Sequence, residues 1–269
     1  MPLTVRAAPG HEVEAERLRE ALARCGYRHE GEADLALETG DHGLALIRED
    51  TRPTLRLRLD FAAGRQGYRL AHAGHQREGL IRAFGKLPRD GQVLDASAGL
   101  GRDTLLLAAH GFQVTAWERH PVVYHLLADA LARAALNPEL AAIIGRIDLR
   151  EGKANPDRVA PPAMAAVFDP MFPERTKRAA VKKDMQLIQA LMPDAADPDA
   201  EETLASLRRH VQRRVIVKRP LHAPALGPDT PQASVKGKSV RFDLYPAIRE
   251  YDQGSQGFPR INCSSPTKR

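Results

Sequence analysis

The stretch Gln92-Val-Leu-Asp-Ala-Ser-Ala-Gly-Leu-Gly-Arg-Asp103 decides the fold of this chain. A short apolar strand leads to Asp95 and then to a turn that contains Gly99 and Gly101. The apolar run that follows predicts a helix over 102–110. Glycines in such a turn let the backbone approach a nucleotide-like ligand, and the first turn of the helix presents free N–H groups. The stretch therefore predicts a strand–turn–helix unit that binds a nucleotide-like cofactor.

A second acidic residue, Glu118, lies at the end of the next predicted strand. The apolar β-formers of 112–117 predict a strand that stops at Glu118, seventeen positions after Gly101. A carboxylate in that place can accept both ribose hydroxyls of a nucleotide, whereas the alternative is a solvated strand end. The dinucleotide fingerprint G-x-G-x-x-G does not fit, because its third glycine would fall on Thr104. Asp103, in the first helical turn, either contacts the ligand or complements the helix dipole.

Strands and helices alternate from residue 92 onward, which predicts an α/β fold with a mostly parallel sheet and helices on both faces. In such a sheet, ligands bind at the carboxyl ends of the strands, where Asp95, Glu118 and Asp169 all fall. The predicted strands are 92–96, 112–117, 143–149, 164–169, 213–218 and 239–245, and the predicted helices are 102–110, 121–135, 175–192 and 199–211.

The first 75 residues predict a small N-terminal α+β subdomain. Its elements are a helix over 12–25 and strands over 35–37, 44–48 and 55–61, and a further helix over 76–87 opens the larger domain. That domain is predicted to span 76–249. The Gly-, Ser- and Pro-containing segment 250–269 predicts a flexible C-terminal tail.

Residues 167–173, Val-Phe-Asp-Pro-Met-Phe-Pro, suit the handling of a flat amino group. Asp169 and the carbonyl of Pro170 can accept its two N–H bonds, and Phe172 offers a ring face for stacking. These three residues are the candidate catalytic residues. The alternative is a strand that ends at a proline turn, with Phe172 in the core.

Composition narrows the function classes. The chain has 269 residues, with 40 Lys and Arg against 34 Asp and Glu and a net charge of +6, which permits a polyanionic partner. Its cysteines, Cys25 and Cys263, form no metal-binding pattern, and they suit a reducing cytoplasm. No stretch approaches the roughly 20 apolar residues that span a bilayer. We therefore expect a cytoplasmic protein with neither a metal nor a membrane partner.

Six segments in order, within residues 55–246, resemble the bacterial ribosomal RNA small subunit methyltransferase J family. They are Asp-Ala-Ser-Ala-Gly-Leu-Gly-Arg-Asp (95–103), Glu-Arg-His-Pro-Val-Val (118–123), Asp-Pro-Met-Phe-Pro (169–173) with Val-Lys-Lys-Asp-Met (181–185), Val-Lys-Arg-Pro (217–220) and Lys-Ser-Val-Arg-Phe-Asp-Leu-Tyr (238–245). The first is similar to D-x-x-A-G-x-G, the cofactor loop of class I methyltransferases, with Ser97 where the family often has glycine. The resemblance implies a Rossmann-like class I methyltransferase sheet whose last strand is antiparallel.

The resemblance also implies the chemistry: methyl transfer from S-adenosylmethionine to N2 of a guanine in 16S rRNA, free or in the small ribosomal subunit. The residues then predicted to bind S-adenosylmethionine are Asp95, Ala98, Gly99, Gly101, Arg102, Asp103, Glu118, Arg119 and Asp169. A serine pair that contacts the cofactor in the family maps near Lys153 and Ala154, where this chain departs from the pattern.

A base that is paired and stacked inside an RNA duplex cannot reach such a pocket, so the target base is expected to be unpaired or flipped out. Basic residues near the strand ends then predict a phosphate-binding rim, although solvated surface charge is the alternative. They are Lys182, Lys183, Lys218, Arg219, Lys236, Lys238 and Arg241.

Two other functions fit the same residues. One is methylation of another planar amino group, such as adenine N6 or a protein glutamine. The other is a non-catalytic RNA-binding or ribosome-assembly role on the same fold.

Overall fold

The computed structural model describes residues 3–27, 33–62, 79–171, 183–192 and 197–248. Its strands are β1 Thr4–Ala7, β2 Leu35–Thr39, β3 Ala45–Arg48, β4 Leu55–Arg58, β5 Gln92–Asp95, β6 Gln113–Glu118, β7 Ile147–Glu151, β8 Ala165–Phe168, β9 Arg214–Pro220, β10 Ala233–Lys236 and β11 Val240–Pro246. Its helices are α1 Glu12–Arg24, α2 Gly79–Phe84, α3 Arg102–Ala109, α4 Pro121–Ala135, α5 Pro138–Ile144, α6 Lys183–Leu191 and α7 Ala200–His210.

The larger sheet has seven strands in the order β10-β11-β9-β8-β5-β6-β7. Strands β5 to β9 are parallel, and β11 runs antiparallel to β9. This confirms the predicted α/β sheet and its antiparallel last strand. The chain order reverses between β5 and β8, and such a switch point opens a crevice at the carboxyl ends of the strands.

Apolar runs in the central strands explain why they form the middle of the sheet. All four residues of β8 are buried, and so are Val215, Ile216 and Val217 of β9. Helices cover both faces of a parallel sheet, so its central strands lack the alternation of a half-exposed strand.

The smaller sheet has the order β1-β2-β3-β4. In β4 the leucines are buried and the arginines are exposed, as the alternation predicted. The sheet packs on α4, where Asp129 accepts a hydrogen bond from the Leu44 N–H at 3.0 Å and Arg133 donates to the Leu59 carbonyl at 2.7 Å. One apolar core continues from this sheet into the larger one.

The structure departs from the predicted elements in three places. Strands β1 and β10 were not predicted. Strand β10 is a short and largely exposed edge strand, and its residues have little apolar pattern. The strand predicted over 143–149 begins only at Ile147, because α5 precedes it. Pro138 opens α5, and the Asn137 side chain caps it by accepting the Glu139 N–H at 2.9 Å.

Several predicted features lie outside the described residues. They include the subdomain boundary at 75, the tail 250–269 and the first part of the helix predicted over 175–192. The division into 1–75, 76–249 and 250–269 therefore stays a prediction. No helix in the described ranges is long and apolar enough to cross a membrane.

Candidate active site

A cavity of about 570 Å³ opens at the carboxyl ends of β5, β6, β8 and β9. This volume is within the range of small-molecule sites. The lining combines a loop backbone, acids, bases and apolar side chains. It consists of Ala96, Ser97, Ala98, Gly99, Leu100, Arg102, Asp103, Glu118, Arg119, His120, Pro121, Val123, Asp169, Met171, Met185, Ile188, Met192, Asp197 and Lys218.

The loop after β5 is held by the neighbouring strands. The Ala96 N–H donates to the Val167 carbonyl at 2.9 Å, and the Ala98 N–H donates to the Trp117 carbonyl at 2.8 Å. Gly101 has a φ of +75°, and a Cβ at this position would lie 2.5 Å from a methyl of Leu127. The glycine therefore allows both the turn and the close approach of α4 to the loop.

Asp95 supports this loop from behind. It is 2% exposed, its Oδ1 accepts the Ser97 N–H at 3.1 Å, and its Oδ2 accepts the Thr104 hydroxyl at 2.6 Å. Burial raises the pKa of Asp95 to about 7. Neither Asp95 nor Gly101 lines the cavity. Both residues shape the loop that borders the cavity, and their predicted direct contact with the cofactor stays a prediction.

Glu118 faces the cavity from the end of β6 and joins two backbone segments. Its Oε2 accepts the Gly99 N–H and its Oε1 accepts the His120 N–H, both at 2.7 Å. Burial raises its pKa, and these two hydrogen bonds oppose the shift. Each carboxylate oxygen keeps a further lone pair. These remaining acceptor positions fit a nucleoside whose ribose hydroxyls donate to Glu118.

Tyr27, which follows helix α1, contacts His120 in the cavity lining. Its hydroxyl lies 2.9 Å from Nε2 of His120. Burial lowers the pKa of His120 to about 4, so the imidazole is neutral at pH 7. No local sequence pattern predicts this contact, because the two residues are 93 positions apart.

Two exposed arginines of the cavity lining form ion pairs. Arg102 lies 2.9 Å from Asp184 at the start of α6, and Arg119 lies 2.8 Å from Asp197 and 3.2 Å from Asp199. Asp197 also accepts a hydrogen bond from the backbone N–H of Met171, at 2.9 Å. These contacts tie the cofactor loops to the segments that follow β8.

Lys153 and Ala154 occupy the positions where the sequence departs from the family pattern, and Lys153 forms an ion pair there. Lys153 is half exposed, and its ammonium lies 2.9 Å from Asp199, which also pairs with Arg119. Neither Lys153 nor Ala154 lines the cavity. An ion pair therefore stands where the resemblance would place a serine contact.

Asp169 lies at the end of β8 on the cavity wall. Its backbone N–H donates to the hydroxyl of Ser97 at 2.7 Å, which links it to the cofactor loop. Its side chain is 42% accessible, and Asp169 itself lines the cavity. Protein on the other sides still limits solvation, so burial raises the pKa of Asp169. The ammonium of Lys218 opposes that shift. Pro170 is buried and does not line the cavity, and Phe172 lies outside the described residues.

Lys218 is inside the cavity rather than on its rim. Its Nζ lies 2.8 Å from Oδ2 of Asp169 and 2.9 Å from Oδ2 of Asp103. Burial disfavours its charge, but the two carboxylates outweigh burial and raise its pKa. Two carboxylates already hold its ammonium, which makes it less available to RNA, and the phosphate contact of Lys218 stays a prediction.

Two further predicted rim residues, Arg219 and Arg241, are largely enclosed by protein, and their contact with phosphate stays a prediction. Arg219 is 4% exposed and donates twice to the Pro224 carbonyl, at 3.0 and 2.7 Å. The Arg241 side chain is 12% exposed and forms an ion pair at 2.9 Å with the fully buried Asp243. Arg219 therefore holds the chain that follows β9, whereas Arg241 of β11 also donates to the Pro220 carbonyl at the end of β9, at 3.0 Å.

The remaining predicted rim residues lie on β10, in the turn after it, and around the start of α6. Lys236 and Lys238 are exposed, Lys183 begins α6, and Lys182 lies outside the described residues. Among the described residues, no group of three or more His, Cys, Asp or Glu side chains could hold a metal ion.

Comparison with known proteins identifies the family of this chain. Residues 20–247 match the family described as "Putative SAM-dependent methyltransferase". The ribosomal RNA small subunit methyltransferase J of Marinobacter nauticus is 42% identical over 217 residues, which cover 79% of this chain and 77% of that protein. The protein of the same name from Ectopseudomonas mendocina is 39% identical over 241 residues, covering 86% and 90%.

A solved structure is similar over nearly the whole chain. It is the SAM-dependent methyltransferase from Neisseria gonorrhoeae, with a TM-score of 0.66 and 25% identity, covering 96% of this chain and 100% of that one. The chain therefore belongs to the ribosomal RNA small subunit methyltransferase J family and is an S-adenosylmethionine-dependent methyltransferase.

Proposed function

We propose that this enzyme methylates the exocyclic N2 of a guanine in 16S rRNA, either free or within the small ribosomal subunit. The observation that carries the proposal is that Asp169 and Glu118 line one cavity. One carboxylate suits the ribose of the cofactor, and the other suits an amino group. The names of the relatives support ribosomal RNA of the small subunit as the substrate. Because such a substrate is made in the cytoplasm, the proposal includes a cytoplasmic location for the enzyme.

The residues that would hold the cofactor are Glu118, the backbone of 96–100 and the apolar side chains of Val123 and Ile188. When bound, S-adenosylmethionine supplies an electrophilic methyl group. The apolar part of the lining excludes water from the region where charge is lost during transfer. Arg102 and Arg119, through their ion pairs, join the loops after β5 and β6 to the segments that follow β8 beside this region.

Asp169 orients the amino group. The lone pair of a guanine N2 is delocalised into the ring, so the nitrogen is a weak nucleophile while it stays planar. A carboxylate that accepts its N–H bonds can hold the group in place and bend it from the ring plane, with the buried Pro170 fixing the backbone behind it. Positioning of this kind can contribute several kcal/mol to catalysis.

The first experiment measures transfer of labelled methyl groups to in vitro transcribed 16S rRNA and to small subunits, with 23S rRNA, DNA and bulk protein as controls. Nucleoside digestion should give N2-methylguanosine. Label in N6-methyladenosine or in protein glutamine would contradict the proposal and support another amino-group methyltransferase. Cofactor binding without transfer to any of these substrates would support a non-catalytic role.

The role of Asp169 is tested by Asp169→Ala. Methyl transfer should fall at least ~100-fold while calorimetry shows only a modest loss of cofactor affinity. Glu118→Ala should show the opposite pattern, with cofactor affinity lost first. Turnover of Asp169→Ala close to wild type would refute the proposed site.

The RNA-facing surface can be tested with a matched pair of basic residues. Lys238 is exposed, whereas the Arg241 side chain is 12% exposed and is paired with Asp243, so Lys238 is the more available of the two to phosphate. Lys238→Ala should weaken RNA binding and lower the slope of log affinity against log salt by about one. At a temperature where it stays folded, Arg241→Met should leave that slope unchanged.

A further inference from the structure

Lys218 connects three elements of the active site. It lies on β9, and its ammonium is within 2.9 Å of carboxylates from the first turn of α3 and from the end of β8. The carboxylates belong to Asp103 and Asp169, and all three side chains line the cavity. The lysine side chain is 26% exposed, so this bridge is partly shielded from solvent.

The bridge leaves a defined set of groups for a substrate. An ammonium has three N–H donors, and two of them point to the paired Oδ2 atoms of Asp103 and Asp169. Oδ1 of Asp169 is then the oxygen that can accept from a bound amine. A carboxylate tethered at one oxygen has fewer rotamers to lose when substrate binds.

We propose that Lys218 is a positioning residue for methyl transfer, which holds one oxygen of Asp169 and leaves the other to accept the N–H of the target amine. This inference rests on the proposed function. Lys218 acts through Asp169 and does not bind RNA phosphate.

The charges around Asp169 explain why a cation is needed. Asp103 of α3 and Asp197 of the segment before α7 are both negative and oppose its ionisation, whereas Lys218 of β9 favours it. Without Lys218, these carboxylates face each other in a partly desolvated cavity. Asp169 would then take up a proton more readily, and a protonated carboxyl is a poorer acceptor for an amine.

Lys218→Met tests this role. At pH 7, kcat should fall roughly 100-fold while KM for RNA changes less than about threefold. The acid limb of the kcat profile should move up by about one pH unit or more, so that part of the activity returns at high pH. Lys218→Arg keeps the cation and should restore much of kcat and the position of the limb.

A readout without turnover uses the apo protein. The titration of the Asp169 carboxyl carbon, followed by ¹³C NMR and assigned by its loss in Asp169→Asn, should have a higher midpoint in Lys218→Met. Lys218→Gln, which removes the charge but keeps an N–H donor, tests the same point if the methionine variant does not fold. Lys86→Met removes an equal charge from an exposed position outside the cavity, and it should leave the midpoint unchanged.

The outcomes separate this inference from the proposed function. If Asp169→Ala abolishes transfer but Lys218→Met keeps the wild-type kcat and pH profile, the role of Lys218 is wrong and the proposed site stands. If Lys218→Met instead raises KM and lowers the salt dependence of RNA binding with no change in the acid limb, Lys218 is a phosphate contact. If Asp169→Ala is itself fully active, the proposed function fails first.

Discussion

Replacing Asp95 by asparagine should change how the stability of the enzyme depends on pH. The Asp95 carboxyl is 2% exposed and makes two hydrogen bonds, to the Ser97 N–H and the Thr104 hydroxyl. Asparagine has nearly the same shape, and its carbonyl can accept the first bond. Its amide can donate to the Thr104 oxygen, because a hydroxyl rotates to act as donor or acceptor. Asp95→Asn therefore removes the titration while it preserves the packing.

The sign of the effect follows from the direction of the shift. Burial raises the pKa of Asp95 in the folded protein from its usual value near 3.8 to about 7. The folded state therefore binds this proton more tightly than the unfolded state. The resulting stability is fully present below the unfolded pKa and is lost as the pH rises through 7. Between pH 5 and pH 8, the folded state keeps the proton over roughly two pH units in which the unfolded state has lost it. At about 1.4 kcal/mol per unit, the free energy of unfolding therefore falls by about 3 kcal/mol over this range.

The assay is urea unfolding of the wild type and Asp95→Asn at several values between pH 5 and pH 8. Subtracting the two free energies of unfolding cancels the other titrating groups. The difference should change by about 3 kcal/mol in favour of the variant as the pH rises. Thr104→Val removes a hydroxyl that stabilises the charged form, so it should steepen the loss for the aspartate protein. Parallel stability curves for wild type and Asp95→Asn would refute the reasoning.

Three further changes test the contacts around the cavity. Gly101→Ala combines a left-handed φ of +75° with a Cβ 2.5 Å from a leucine methyl on α4, so urea unfolding should show a loss of about 3 kcal/mol. Gly99→Ala, with nothing closer than 3.9 Å, should lose only about 1 kcal/mol, and equal losses would contradict the steric argument. Tyr27→Phe removes the partner of the buried His120 and should weaken cofactor binding several-fold by calorimetry, whereas unchanged affinity would separate the N-terminal region from the site. Arg241→Met should destabilise the protein by about 3 kcal/mol in urea unfolding, because it leaves a buried carboxylate unpaired, and a neutral result would show that this ion pair is dispensable.

The sequence predicted the sheet and the acids at its strand ends, because apolar runs, glycine turns and their spacing are local signals. It could not assign the basic residues of β9. Lys218 and Arg219 are adjacent, so their side chains point to opposite faces of the sheet. One meets Asp103, which is 115 positions away, and the other packs against the Pro224 carbonyl. Whether a lysine at a strand end meets phosphate or carboxylate depends on such distant partners.

The small N-terminal sheet supports the active site rather than adding a second one. Helix α6 packs against β3 and β4 on one side. On the other side, its Met185 and Ile188 line the cavity. Tyr27 reaches His120, whose backbone N–H binds the same carboxylate, Glu118, that holds the cofactor loop. Two walls of the cavity therefore depend on contacts with residues that precede the larger sheet. The methyltransferase sheet supplies the acids, and the small sheet fixes the side chains that enclose them.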